Sequence, residues 1–218
     1  LTPHAEYHKY SFPRNYRFWL DTYVFNFSAA SPAFAQWRRV YLGTLKKAAV
    51  LMGRTRPLLK SPATMANLNV VLELFPNAKF IHIQRNPYKV LPSQINLHRT
   101  MVTKYALEAV SEERIREFAL YQYEGYMRGF LRDRHLIPPA NLLDIRYEDF
   151  VQDRLNWLRT IYERLELGEF EARIPALRAH LAAVQDYKAH RFTVEPELKG
   201  AIDTRLAFAF EALGYARE

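Results

Sequence analysis

Apolar positions along the chain repeat at helical steps in several stretches and cluster into short strand-like runs in three others. Residues 1–32 fit neither period. They are crowded with Tyr7, Tyr10, Phe12, Tyr16, Phe18, Trp19, Tyr23, Phe25 and Phe27, which reads as a lid or wall over a core rather than a membrane-facing surface. Ser31-Pro32 supplies an N-cap and a first-turn proline, predicting a helix through Phe34, Trp37, Val40, Tyr41, Leu45 and Ala48 to about Leu51, ended by Gly53. Pro57-Leu58-Leu59-Lys60 reads as a short strand, and Ser61-Pro62 opens a helix through Met65, Leu68, Val71, Leu72 and Phe75. A strand over Lys79–Gln84 follows, then Arg85-Asn86-Pro87, where Asn86 caps a helix that Pro92 should bend. Ser111 starts a long helix to about Arg134, on which Gly125 and Gly129 mark close packing. Leu142–Arg146 is a third strand, and helices over 150–165, 170–184 and 196–213 complete the chain.

Strands alternating with helices predict an α/β fold with a parallel sheet and flanking helices. Its 218 residues suit one domain, with 1–56 an aromatic-rich helical or lid region and 57–218 the sheet-bearing core. Three strands would leave exposed sheet edges, so a first strand is expected before Leu1.

Composition narrows the class. The chain is 49% hydrophobic and 25% charged, as for an ordinary globular protein, and holds no apolar run long enough to span a bilayer. Lys+Arg 31 against Asp+Glu 23 gives +8, which favours anionic partners. The basic residues are dispersed and no nucleic-acid-binding signature occurs, so a nucleic acid is not the expected partner. The absence of cysteine excludes disulfides and thiolate metal sites and suits a reducing cytosol, with peripheral membrane association left open. Seven glycines form neither GxxxxGK[ST] nor GxGxxG, so no glycine-rich phosphate loop is present.

Two predicted strand ends carry a cation just before a helix start: Lys60 and Arg85. Helix N-termini and strand-end cations together favour an anion, and Ser93 in the second turn after Arg85 adds a hydroxyl. Taken alone, such residues are more often surface charges and caps than a functional site.

Four strings change that weight. Leu59-Lys60-Ser61-Pro62-Ala63-Thr64 resembles the K-S-P-x-H segment of bacterial-type sulfotransferases, and Phe75 through Arg85-Asn86-Pro87 to Ser93 resembles their 3′-phosphate-binding segment. Ile145-Arg146-Tyr147-Glu148-Asp149-Phe150 is similar to their Y-E-D-[LF] segment, and Phe210-Glu211-Ala212-Leu213-Gly214-Tyr215 to their C-terminal end. The resemblance implies a P-loop nucleotide-hydrolase-like fold lacking its first strand and loop. It also implies transfer of a sulfuryl group from 3′-phosphoadenosine 5′-phosphosulfate (PAPS) to a hydroxyl or amine, without a metal. It further implies Arg85 and Ser93, with Lys188 and Arg191, at the 3′-phosphate, Tyr147 near the adenine, and Lys60 near the sulfuryl group.

Two departures stand out. Thr64 occupies the place of the family histidine and has no useful basicity near neutral pH, so either the base lies elsewhere, with a carboxylate or histidine upstream of Leu1 the leading candidate, or the acceptor needs none, or activity is reduced. His82 reads as a structural residue within a strand and His98 as exposed. The loop for the 5′-phosphosulfate is likewise expected upstream. A catalytically impaired nucleotide- or partner-binding relative, and more distantly a nucleotide kinase, are the competing readings. The aromatic N-terminal segment suits a small-molecule acceptor such as a lipid, sterol, phenol or glycan.

Overall fold

The computed structural model describes residues 5–53, 56–184 and 192–217. Residues 5–25 run as a chain of short helical turns. There follow α1 (Phe34–Met52), α2 (Leu68–Leu74), β1 (Phe80–Gln84), α3 (Pro87–Tyr105), α4 (Glu112–Asp133), β2 (Leu142–Arg146), α5 (Tyr147–Gln152), α6 (Arg154–Arg164), α7 (Ile174–Ala183), α8 (Pro196–Arg205) and α9 (Ala207–Leu213). The chain divides into two compact units, residues 1–76 with 94–136, and residues 77–93 with 137–218.

In the first unit the aromatic segment is partly core, with Tyr7, Phe12 and Phe18 left exposed. Tyr10, Tyr16, Leu20 and Val24 are buried against Ala66 and against Phe118 and Tyr126 of α4. Tyr16 stacks on Phe118 with ring centroids 4.8 Å apart. Helix α4 starts as its sequence predicts, with Ser111 accepting from the Arg114 backbone N–H at 3.2 Å. Gly129 of α4 touches the turn before α2: a Cβ there would stand 2.6 Å from Ala66 Cα, so only glycine allows the approach. Helix α1 ends at Gly53, whose φ of +59° is the left-handed cap glycine adopts freely. Its start differs from expectation. The Ser31 hydroxyl accepts from the Ser28 N–H at 3.0 Å, in the preceding turn, and the helix begins at Phe34.

The segment 57–60 is not a strand. It pairs with no neighbour among the described residues, and Leu58 is 89% exposed. A strand needs a partner for its backbone groups, and an apolar run supplies none by itself. After it, Ser61-Pro62 opens only a single tight turn, Pro62–Ala66, before α2 starts at Leu68. His98, expected at the surface, is fully buried in α3, its ring 4.2 Å from that of Phe118 and edge-on to Tyr10. Burial, with the Lys9 ammonium, pushes its pKa down to about 3, so it is neutral.

In the second unit β1 and β2 pair in parallel, from Phe80 opposite Leu142 to Gln84 opposite Arg146. Ile145 is packed beneath Ile161 and Leu165, with Ile81 and Leu143 alongside. His82 faces its register partner Asp144, with Nδ1 2.7 Å from Oδ1, in the structural role its strand position implied. Helix α3 begins at Pro87 with Asn86 Oδ1 accepting from the Tyr88 N–H at 2.8 Å, and it runs unbroken past Pro92. The region predicted as one helix over 196–213 is two, α8 and α9, separated at the fully buried Leu206.

Candidate active site

Equal strand lengths and a parallel register bring the residues after β1 and β2 to the same end of the sheet. Arg85 and Tyr147 are the first residues past those ends, and the Arg85 guanidinium lies 4.4 Å from the Tyr147 ring centroid. Arg85 has no carboxylate partner among the described residues, so its donors remain open to an anion. The helix start beside it offers less than expected. Pro87 has no N–H, the Tyr88 N–H is taken by Asn86 Oδ1, and the Lys89 N–H by the Asn86 carbonyl at 2.9 Å. An anion held here would therefore depend on side chains rather than on the helix start. Ser93 lies half-buried in the second turn of the same helix.

The last residues of the chain brace this end. The Tyr215 hydroxyl donates to Glu148 Oε2 at 2.6 Å, and burial together with that carboxylate pushes its own pKa up. The Arg146 guanidinium donates to the Gly214 carbonyl at 2.8 Å and lies over the Tyr215 ring. Gly214 turns the chain there at φ +67°. The Y-E-D and F-E-A-L-G-Y strings are thus one structural feature. Glu148 serves Tyr215, and neither string alone announces that pairing.

The first unit holds a cavity of about 220 Å³. Its lining combines an aromatic wall of Tyr23, Phe27, Trp37 and Tyr41 with Lys60, Ser61 and Thr64. Trp37 and Tyr41, one turn apart on α1, stack with centroids 4.7 Å apart. Lys60 has no carboxylate partner among the described residues. One carboxylate also lines the cavity, Glu6, which sequence reasoning passed over. The available signal was its isolation: it is the sole acidic residue before Asp21, within an aromatic-rich stretch. Lys188 and Arg191 lie outside the described residues. No group of three or more metal-ligating side chains occurs among the described residues.

A parallel sheet that delivers an open arginine and a tyrosine at its strand ends marks an α/β protein suited to a phosphorylated ligand. Similarity to known proteins narrows this to a family. The model of the sulfotransferase family matches residues 4–172, and the chain belongs to that family. It is 34% identical over 164 residues to the omega-hydroxy-beta-dihydromenaquinone-9 sulfotransferases Stf3 of Mycobacterium bovis and Mycobacterium tuberculosis, covering 75% of this chain and 42% of theirs. It also matches the crystal structure of sulfotransferase STF9 from Mycobacterium avium, with a TM-score of 0.69 and 22% identity, over 93% of this chain and 51% of that one. The fold is therefore the α/β sulfotransferase fold, and the chain spans about half or less of the length of these relatives.

Proposed function

We propose that this chain serves sulfuryl transfer from PAPS to the hydroxyl of an apolar acceptor, by in-line displacement. The observation that carries this reading is the cavity in which Lys60 and Ser61 meet an aromatic wall. Lys60 is assigned to the transferring sulfuryl group, where its ammonium offsets charge on the equatorial and leaving oxygens. Arg85 and Ser93 are assigned to the 3′-phosphate, with Lys188 and Arg191 as further cations. Tyr147, already stacked with Arg85, is assigned to the adenine. An open arginine against an aromatic face fits a phosphorylated nucleotide, and catalysis by position and charge needs no metal. Residues 57–218 form the donor-binding core in this reading, and 1–56 the acceptor wall.

Aromatic surfaces suit a lipid, sterol, phenol or glycan, and the acceptor for which the Stf3 relatives are named, a menaquinone derivative, favours the lipid. No helix among the described residues is long and apolar enough to cross a membrane. In this reading the protein is cytoplasmic and meets its acceptor at a membrane surface. Thr64 in place of histidine favours one second reading, a relative that binds the nucleotide without turnover.

Thermal shift with adenosine 3′,5′-bisphosphate tests donor binding. A ligand well above its Kd raises Tm by mass action. Arg85→Ala is expected to weaken binding about tenfold or more, the loss of one charge-assisted contact. No stabilisation of the intact protein at millimolar nucleotide would count against both readings, and wild-type affinity in Arg85→Ala would remove Arg85 from the site.

A further inference from the structure

We propose that Glu6 is the general base that takes the acceptor proton, in place of the histidine that Thr64 replaces. This rests on the sulfotransferase reading above.

Glu6 stands on a single tight turn, Ala5–Tyr7, and is only 8% exposed. Glu6 lines the same cavity as Lys60, Ser61 and Thr64, and it is the sole carboxylate among the cavity's lining residues, which include no histidine. Two histidines elsewhere are already engaged. His98 is buried against Phe118, and His82 belongs to the strand pair with Asp144. A base for the acceptor hydroxyl must share the space in which the hydroxyl meets the sulfuryl group, and Glu6 meets that condition.

Lys9, one helical turn on, is 3% exposed and feels the Glu6 charge, which opposes the lowering of its own pKa by burial. In the transfer step the acceptor oxygen forms its bond to sulfur as the bond from sulfur to the 5′-phosphate oxygen breaks. The electron pair leaves with adenosine 3′,5′-bisphosphate, and the acceptor proton passes to the Glu6 carboxylate, from which solvent removes it.

The competing explanation is that Glu6 only neutralises Lys9. The test uses the full chain with PAPS and two acceptor probes: farnesol, an alcohol that needs a base, and 4-nitrophenol, which ionises near neutral pH by itself. Glu6→Gln is expected to lower kcat on farnesol by about 100-fold or more, the usual contribution of a general base. It should lower kcat on 4-nitrophenol far less, while affinity for adenosine 3′,5′-bisphosphate stays unchanged. The double variant Glu6→Gln/Lys9→Met guards against misfolding, because it removes the ammonium that the single variant leaves uncompensated. It should remain inactive on farnesol. Recovery of activity in the double variant, equal losses on both probes, or wild-type kcat in Glu6→Gln would overturn the assignment. A wild type that binds adenosine 3′,5′-bisphosphate yet sulfates neither probe would overturn this assignment and favour the nucleotide-binding reading, and one that does not bind the nucleotide would overturn the sulfotransferase reading itself.

Discussion

Gly129→Ala sets two effects of the same methyl group against each other. Alanine in a helix interior is favoured over glycine by about 1 kcal/mol, through backbone entropy. At Gly129 the added Cβ would stand 2.6 Å from Ala66 Cα, 2.8 Å from Ala66 Cβ and 3.2 Å from the Ala66 carbonyl oxygen. Comfortable carbon contacts lie near 3.5–4.0 Å, so the overlap is about 1 Å, and it is with backbone rather than with a movable side-chain tip. Overpacking of this kind costs about 1–3 kcal/mol. Because the contact is with backbone, the cost falls in the upper half of that range, so the overlap wins with a net loss of about 1–2 kcal/mol, or roughly 2–8 °C in Tm for a chain of this size. Gly43→Ala is the control. Gly43 lies inside α1, and a Cβ there would meet nothing within 4 Å, so the same change should raise stability by about 0.5–1 kcal/mol. Differential scanning calorimetry of both variants decides the matter. Ala66 closes the turn that carries Thr64, so Gly129→Ala should also slow turnover, whereas Gly43→Ala should not disturb that turn. A Gly129→Ala protein as stable as wild type, or shifted upward like Gly43→Ala, would mean that the helix and the Ala66 turn separate without cost.

Two further outcomes are expected. Lys9 is held at a pKa of about 8 against an ordinary value of 10.5, chiefly by burial. Between those values the unfolded chain binds the proton that the folded chain has released, so stability rises with pH, by about 1 kcal/mol from pH 7 to pH 9. Above pH 10 the buried tyrosines Tyr10 and Tyr126, whose pKa values burial raises, reverse the slope. Urea denaturation of Lys9→Met across that range should lose the rise and keep the fall, and a rise that survives would assign it to another group. Tyr215→Phe removes the hydroxyl that donates to Glu148 and should lower stability by about 1–2 kcal/mol, with no change in m-value. An unchanged urea midpoint would mean that the C-terminal end does not brace the Y-E-D segment.

What the sequence determined by itself is the local chemistry. Ser111 and Asn86 cap their helices, Gly53 and Gly214 end theirs in left-handed turns, and both strands that form lie where apolar runs end in turn residues. Each of these depends on groups within about four residues of one another, so the order of residues is enough. The four strings around Lys60, Arg85, Tyr147 and Tyr215 were legible for the same reason. Tertiary structure decided the rest. An apolar run at 57–60 becomes a strand only if another strand supplies its hydrogen bonds. Helical periodicity did not reveal that His98 faces Tyr10 and Phe118, from segments remote in sequence. In the sequence Glu6 is one isolated charge in an aromatic stretch. Only the folding of 5–25 onto α4 and the turn before α2 encloses it with Lys60 and Thr64, because burial and shared cavities are properties of distant segments packed together.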